Sequence, residues 1–163
     1  MLRVSMFAAS SLVLGMCSAA SAGTVSGTAF TVQVTDVAGC TISSGPTGTI
    51  DFGSYAGTAA APPDVASSVG VICTNTSPYV IRFTSTNPVA SNTDRTMVNG
   101  AENIGYQIRK TSTSTLIGNT NATGIGATGS GVLQTTAINF HINNWTPVTP
   151  AVYTDSVTLQ VDF

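Results

Sequence analysis

Apolar and polar side chains alternate one for one along most of this chain, in short runs that end at turn residues. Strict alternation gives each run one apolar face, as in a strand, and no run shows the spacing of a helical stripe. Near the N-terminus Phe30, Val32 and Val34 alternate with Thr31, Gln33 and Thr35 before Gly39-Cys40. Cys40-Thr41-Ile42 begins a further strand, closed by Ser43, Ser44, Gly45 and Pro46. Ile50 and Phe52 fall on one face of another, and residues 59–64, with Pro62-Pro63, read as a loop. Val69, Val71 and Cys73 share a face, which turns Cys73 inward, where Cys40 can meet it. Tyr79, Ile81 and Phe83 form the next apolar edge, then Ile104, Tyr106 and Ile108, then Ile138, Phe140 and Ile142. Val157, Leu159, Val161 and Phe163 form the last, against Thr158, Gln160 and Asp162. Short strands divided by turns predict an all-β antiparallel sandwich of immunoglobulin type. Residues 111–131, rich in Thr, Asn and Gly, read as a mobile loop or a weak extra strand.

The first residues follow a different pattern. Arg3 precedes a mostly apolar or small stretch over residues 6–16, and Ala20-Ser21-Ala22 is a small-x-small cleavage site. Residues 1–22 are therefore expected to be a secretory signal, too short to span a bilayer. Cleavage removes Cys17 and leaves Cys40 and Cys73 as a pair in an oxidising compartment. A zinc site needs more ligands than these, since His141 is the only histidine. A Cys40–Cys73 disulfide is expected, stabilising by about 3–4 kcal/mol on the chain-entropy model.

Charge narrows the range of partners. Charged residues make up 7% of the chain and the net charge is −2, where ordinary domains carry about 25% charged residues. Past position 22 the basic residues are Arg82, Arg95, Arg109 and Lys110, and they form no stripe. Nucleic acid is excluded as an expected partner. With 42% hydrophobic residues the chain still has the material for a core.

Several matches to chemical motifs fail on context. Gly124-Ile125-Gly126-Ala127-Thr128-Gly129 spells GxGxxG, but the dinucleotide fingerprint needs a strand before it and a helix after it, and a strand-like run follows instead. His141 has the strand parity of a solvent-facing residue, and Asp155-Ser156 lacks a nucleophile elbow or oxyanion loop. Three Asn-x-Ser/Thr sequons are expected by chance in so Asn- and Thr-rich a chain. Trp145 with Tyr153 could stack on a sugar, but packing or a turn anchor is the simpler role. No catalytic residue, cofactor or metal site is expected.

The first alternating run has two destinations open to it. It can fold back as the first strand of its own sandwich, or pair with another molecule. In the second case Phe30, Val32 and Val34 would insert, with Thr28 and Val25 as weaker contacts. Burying the three larger side chains is worth roughly 5–9 kcal/mol. Main-chain pairing along the partner's edge adds to this, and the head-to-tail contact propagates into a filament.

Order along the chain supplies a resemblance. Gly39-Cys40-Thr41-Ile42 is followed by Asp51-Phe52-Gly53-Ser54-Tyr55, Val71-Ile72-Cys73-Thr74, Pro78-Tyr79, Asp94-Arg95-Thr96-Met97 and Ile104-Gly105-Tyr106. The run from Tyr153-Thr154-Asp155-Ser156 through Val157 to Phe163 completes it. This order resembles the spore coat protein U domain and, within it, subunits of archaic (Csu-type) chaperone–usher pili. The resemblance implies an incomplete immunoglobulin-like sandwich lacking its last strand, with an open edge at Val157, Leu159 and Val161. It implies a periplasmic chaperone that lends a strand and holds the Phe163 carboxylate with a basic pair. At an outer-membrane usher, the arm of the next identical or related subunit replaces that strand. The expected map is a signal over 1–22, a donor arm over 23–36 and a pilin domain over 37–163. The expected product is a surface pilus, with a tip adhesin, for adhesion and biofilm formation. One domain plus an arm matches a rod subunit, since a two-domain tip adhesin would be about twice as long. The competing expectations are a secreted carbohydrate-binding or adhesin module, and a spore or surface coat protein.

Overall fold

The computed structural model describes residues 28, 31–56, 60–87 and 91–163. The expected signal, and Val25 and Phe30 of the arm, lie outside these. Chain contacts separate Met1–Val34 from Thr35–Phe163, and among the described residues all the strands belong to the second unit. In the first, Val32 and Val34 carry no regular secondary structure and are 86% and 91% exposed.

Among the described residues, eight strands make two antiparallel sheets. They are β1 (Cys40–Ser44), β2 (Val65–Cys73), β3 (Pro78–Ser85), β4 (Asp94–Asn99), β5 (Glu102–Lys110), β6 (Ile125–Thr128), β7 (Gln134–Asn144) and β8 (Val157–Asp162). One sheet has the order β1-β2-β7-β5-β4 and the other β6-β3-β8. The alternation sets which side chains meet between them. Val69, Val71, Ile108 and Ile138 from the larger sheet, and Ile81 and Phe83 from the smaller, are essentially inaccessible and share one core cluster. Across β1 and β2, Cys40 stands opposite Cys73, and the two form the expected disulfide.

The structure departs from the expected strands in two places. Ile50 and Phe52 are half-buried against the core but belong to no strand. Gly48 and Gly53 take φ of 69° and 86°, and the Asp51 carboxylate accepts from the Gly53 N–H at 2.8 Å. Those turns break up the extended run a ladder would need. β4 was not expected, because its inward position is occupied by Arg95, which is 1% exposed. Its guanidinium donates to the Phe83 and Ile117 carbonyls at 2.7 and 2.9 Å, so the buried charge ties β4 to β3 across the core. Burial pulls the Arg95 pKa down, and Tyr106, Asp155 and Asp94 oppose that.

Residues 111–131 contain the extra strand. β6 pairs with β3 after a short 3-10 turn at Asn121–Thr123. Two of the three GxGxxG glycines, Gly124 and Gly129, answer to packing here. A Cβ on Gly124 would sit 2.7 Å from the Ile81 carbonyl, and one on Gly129 would sit 2.2 Å from that of Thr74. Only glycine lets these main chains approach so closely.

Candidate functional site

β8 has a strand partner on one edge only. It pairs with β3 from Val157↔Ser85 to Asp162↔Val80, and among the described residues no strand lies on its other side. Val157, Leu159 and Val161 point toward the core as their parity requires, yet all three stay half-buried. Beside them opens a cavity of about 300 Å³. β8 forms one wall with Val157 and Leu159, and residues 46–52 form the other with Pro46, Ile50 and Phe52. Met97, Phe83, Tyr106 and Phe140 make the floor. The cleft is thus a part of the sandwich beside β8 that the described residues leave unfilled, lined largely by apolar side chains. Gly45 lies close to β8, and a Cβ there would approach Leu159 Cδ2 to 2.8 Å.

One end of the cleft is polar. Tyr106 donates its hydroxyl to Asp155 Oδ2 at 2.6 Å, and Ser85 Oγ donates to the same oxygen. Burial, then the Asp155 contact, pushes the Tyr106 phenol well above its ordinary pKa, so it stays a neutral donor. Beyond this end the connection from β7 to β8 runs along the β4–β5 hairpin, where Val98 and Thr154 exchange main-chain bonds at 2.9 and 3.2 Å.

Of the residues singled out from sequence, Val157, Leu159 and Val161 line or flank the cleft, and Phe163 is 62% exposed just past it. Thr28, Val32 and Val34 are exposed. His141 and Asp155 are not brought together. His141 Nδ1 lies 2.7 Å from Asp64, and Asp155 is occupied by Tyr106 and Ser85. Trp145 meets Tyr55 edge-on with ring centres 6.4 Å apart, and the Tyr153 hydroxyl bonds Glu102, so both act as anchors within the fold. The opposite wall, residues 46–52, was missed as part of a site, although Ile50 and Phe52 were visible as a two-residue apolar edge. Among the described residues no group of His, Cys, Asp or Glu has the makings of a metal site.

Residues 26–160 match the family described as the Spore Coat Protein U domain. The chain belongs to that family. No curated protein matches the sequence. Among solved structures, this Spore Coat Protein U domain chain is similar to a chain in the crystal structure of the CsuC–CsuE chaperone–tip adhesion subunit pre-assembly complex, from archaic chaperone–usher Csu pili of Acinetobacter baumannii. The TM-score is 0.53 at 24% identity, over 78% of this chain and 40% of that one. This chain therefore spans about two fifths of its neighbour's length. The fold is shared: an all-β, incomplete sandwich.

Proposed function

We propose that this protein is a structural subunit of an archaic chaperone–usher pilus, serving in the rod and polymerising head-to-tail. The unpaired edge of β8 above an apolar cleft carries this reading. An open sheet edge beside uncovered core side chains invites another strand. A matching sequence lies in the same chain: residues 23–36 offer Phe30, Val32 and Val34 as one alternating edge, with Thr28 and Val25 as weaker contacts. Family membership and the shared fold support the same reading.

On this reading a periplasmic chaperone covers the cleft first and anchors the C-terminus at Phe163. An outer-membrane usher then exchanges that cover for the arm of the next subunit. One groove and one arm per molecule suffice for an open-ended fibre. The fibre, capped by a tip adhesin, would stand on the cell surface and serve adhesion and biofilm formation. No step involves catalysis.

Deletion of residues 23–35 tests this directly. The shortened protein should still form a complex with its chaperone but should yield no filaments in electron micrographs. Filaments of normal length from the deletion would overturn the proposal.

A further inference from the structure

An alternating arm has a register problem. A slip by one residue turns every apolar side chain outward, but a slip by two restores the same face. Thr28, Phe30, Val32 and Val34 are spaced so that two-residue slips differ only in which side chain meets which part of the cleft. A groove built for one register needs an end wall.

The structure has a candidate for that wall. The cavity beside β8 adjoins a second recess of about 590 Å³, and the Tyr153 ring lines both. Ile50, Phe52 and Met97 line both cavities as well. Without an obstruction there, an extended chain could run on from the first cavity into the second. The Tyr153 ring is itself held from its far end. Its hydroxyl lies 2.7 Å from Glu102 Oε2 and 2.9 Å from the Thr149 carbonyl. Glu102 also accepts from the Thr149 N–H at 2.9 Å and from its hydroxyl at 3.0 Å. Charge-assisted bonds of this kind are the stronger ones. Tyr153 and then Thr149 hold the Glu102 carboxyl below its usual range, and Tyr153 is pushed up to about 12, by desolvation first and by Glu102 next. The carboxylate and the neutral phenol therefore persist together at any ordinary pH.

We propose that Tyr153, positioned by Glu102, is the register stop of the groove, blocking the incoming strand from sliding two residues toward the adjoining recess. This rests on the donor-strand reading above. Tyr153 touches the strand, and Glu102 is a positioning residue acting through it.

Disulfide trapping tests the stop. Single cysteines replace Thr158 or Gln160 in the full-length protein, and Thr31 or Gln33 in a synthetic peptide of residues 23–36. By parity these positions oppose the apolar edges of β8 and the arm, with Thr158 exposed and Gln160 half-buried, so cross-linking reports register without replacing an apolar side chain. In the otherwise unaltered protein one cysteine pairing should dominate. In Tyr153→Ala the pairing offset by two residues should rise about tenfold relative to it, a change in preference of about 1.4 kcal/mol. Glu102→Gln and Tyr153→Phe keep a ring or its scaffold and should shift the ratio in the same direction by less, with thermal midpoints near that of the parent. If Tyr153→Ala does not fold, those two variants decide the matter. An unchanged pairing ratio in all variants that fold, or several registers in the unaltered protein, would overturn the stop. Peptide that neither cross-links nor stabilises the unaltered protein would overturn the donor-strand reading instead.

Discussion

β7 and β8 carry nearly the same pattern and end in different states. β7 alternates Ile138, Phe140 and Ile142 with Asn139, His141 and Asn143, while β8 alternates Val157, Leu159 and Val161 with Thr158, Gln160 and Asp162. β7 lies between β2 and β5, and its inward residues are at most 5% exposed. Among the described residues β8 has β3 alone, and its inward residues remain half-covered beside a cleft. Side-chain chemistry does not separate the two strands. The difference is a missing neighbour, so β8 displays what β7 would look like with one flank removed.

The largest effect that can sharpen this contrast lies in the saturated strand. Ile138→Ala empties a site with no solvent access and should cost about 2–5 kcal/mol in urea unfolding. A loss no larger than that from the matching change in β8 would break the comparison. Replacing Cys40 and Cys73 together by Ser should cost about 3–4 kcal/mol and leave the β8 cleft intact, as read by retained binding of the arm peptide. Leu159→Ala should cost less, about 1–2 kcal/mol, because that side chain is already partly uncovered. Its main effect should appear as weaker peptide binding in a titration, where Ile138→Ala in folded protein changes little.

The smallest expected effect concerns acid. Asp94 accepts from Ser91 at 2.6 Å, from Gln107, and from Asn143 at 3.0 Å. The Ser91 bond, then that of Gln107, holds its carboxyl below the ordinary range. A folded pKa below the unfolded one gives stability that is present above about pH 4 and is lost as pH falls further. Asp94→Asn should flatten that acid limb in a series of thermal unfolding curves, with no change in peptide binding at β8.

Much of this was legible because alternation is local. The inward faces of β2, β3, β5 and β7 follow from parity, and so does the orientation of Val157, Leu159 and Val161. β4 escaped because Arg95 stands where an apolar residue is expected, and its acceptors, the Phe83 and Ile117 carbonyls, come from distant segments. β6 was legible only as one of two alternatives, a weak extra strand or a loop, because its flanking glycines answer to main-chain contacts with Ile81 and Thr74, which no local window contains. Half of the cleft was readable in the same way. Its other wall was not, since residues 46–52 have a strand-like pattern but reach the core through turns. Tyr153 as a shared boundary depends on how two cavities meet, and spacing along the chain holds no sign of that.

The vacancy beside β8 can be probed by offering the protein what it lacks. Thermal unfolding of the purified protein would be followed with an excess of synthetic peptide spanning residues 23–36, and with the same peptide carrying Val32→Asp. Occupancy at a hundredfold over the dissociation constant adds about 2.7 kcal/mol, so the native peptide should raise the midpoint by several degrees and the Val32→Asp peptide should not. A midpoint that neither peptide moves would mean the cleft does not take a strand, and the polymer built on it would go too.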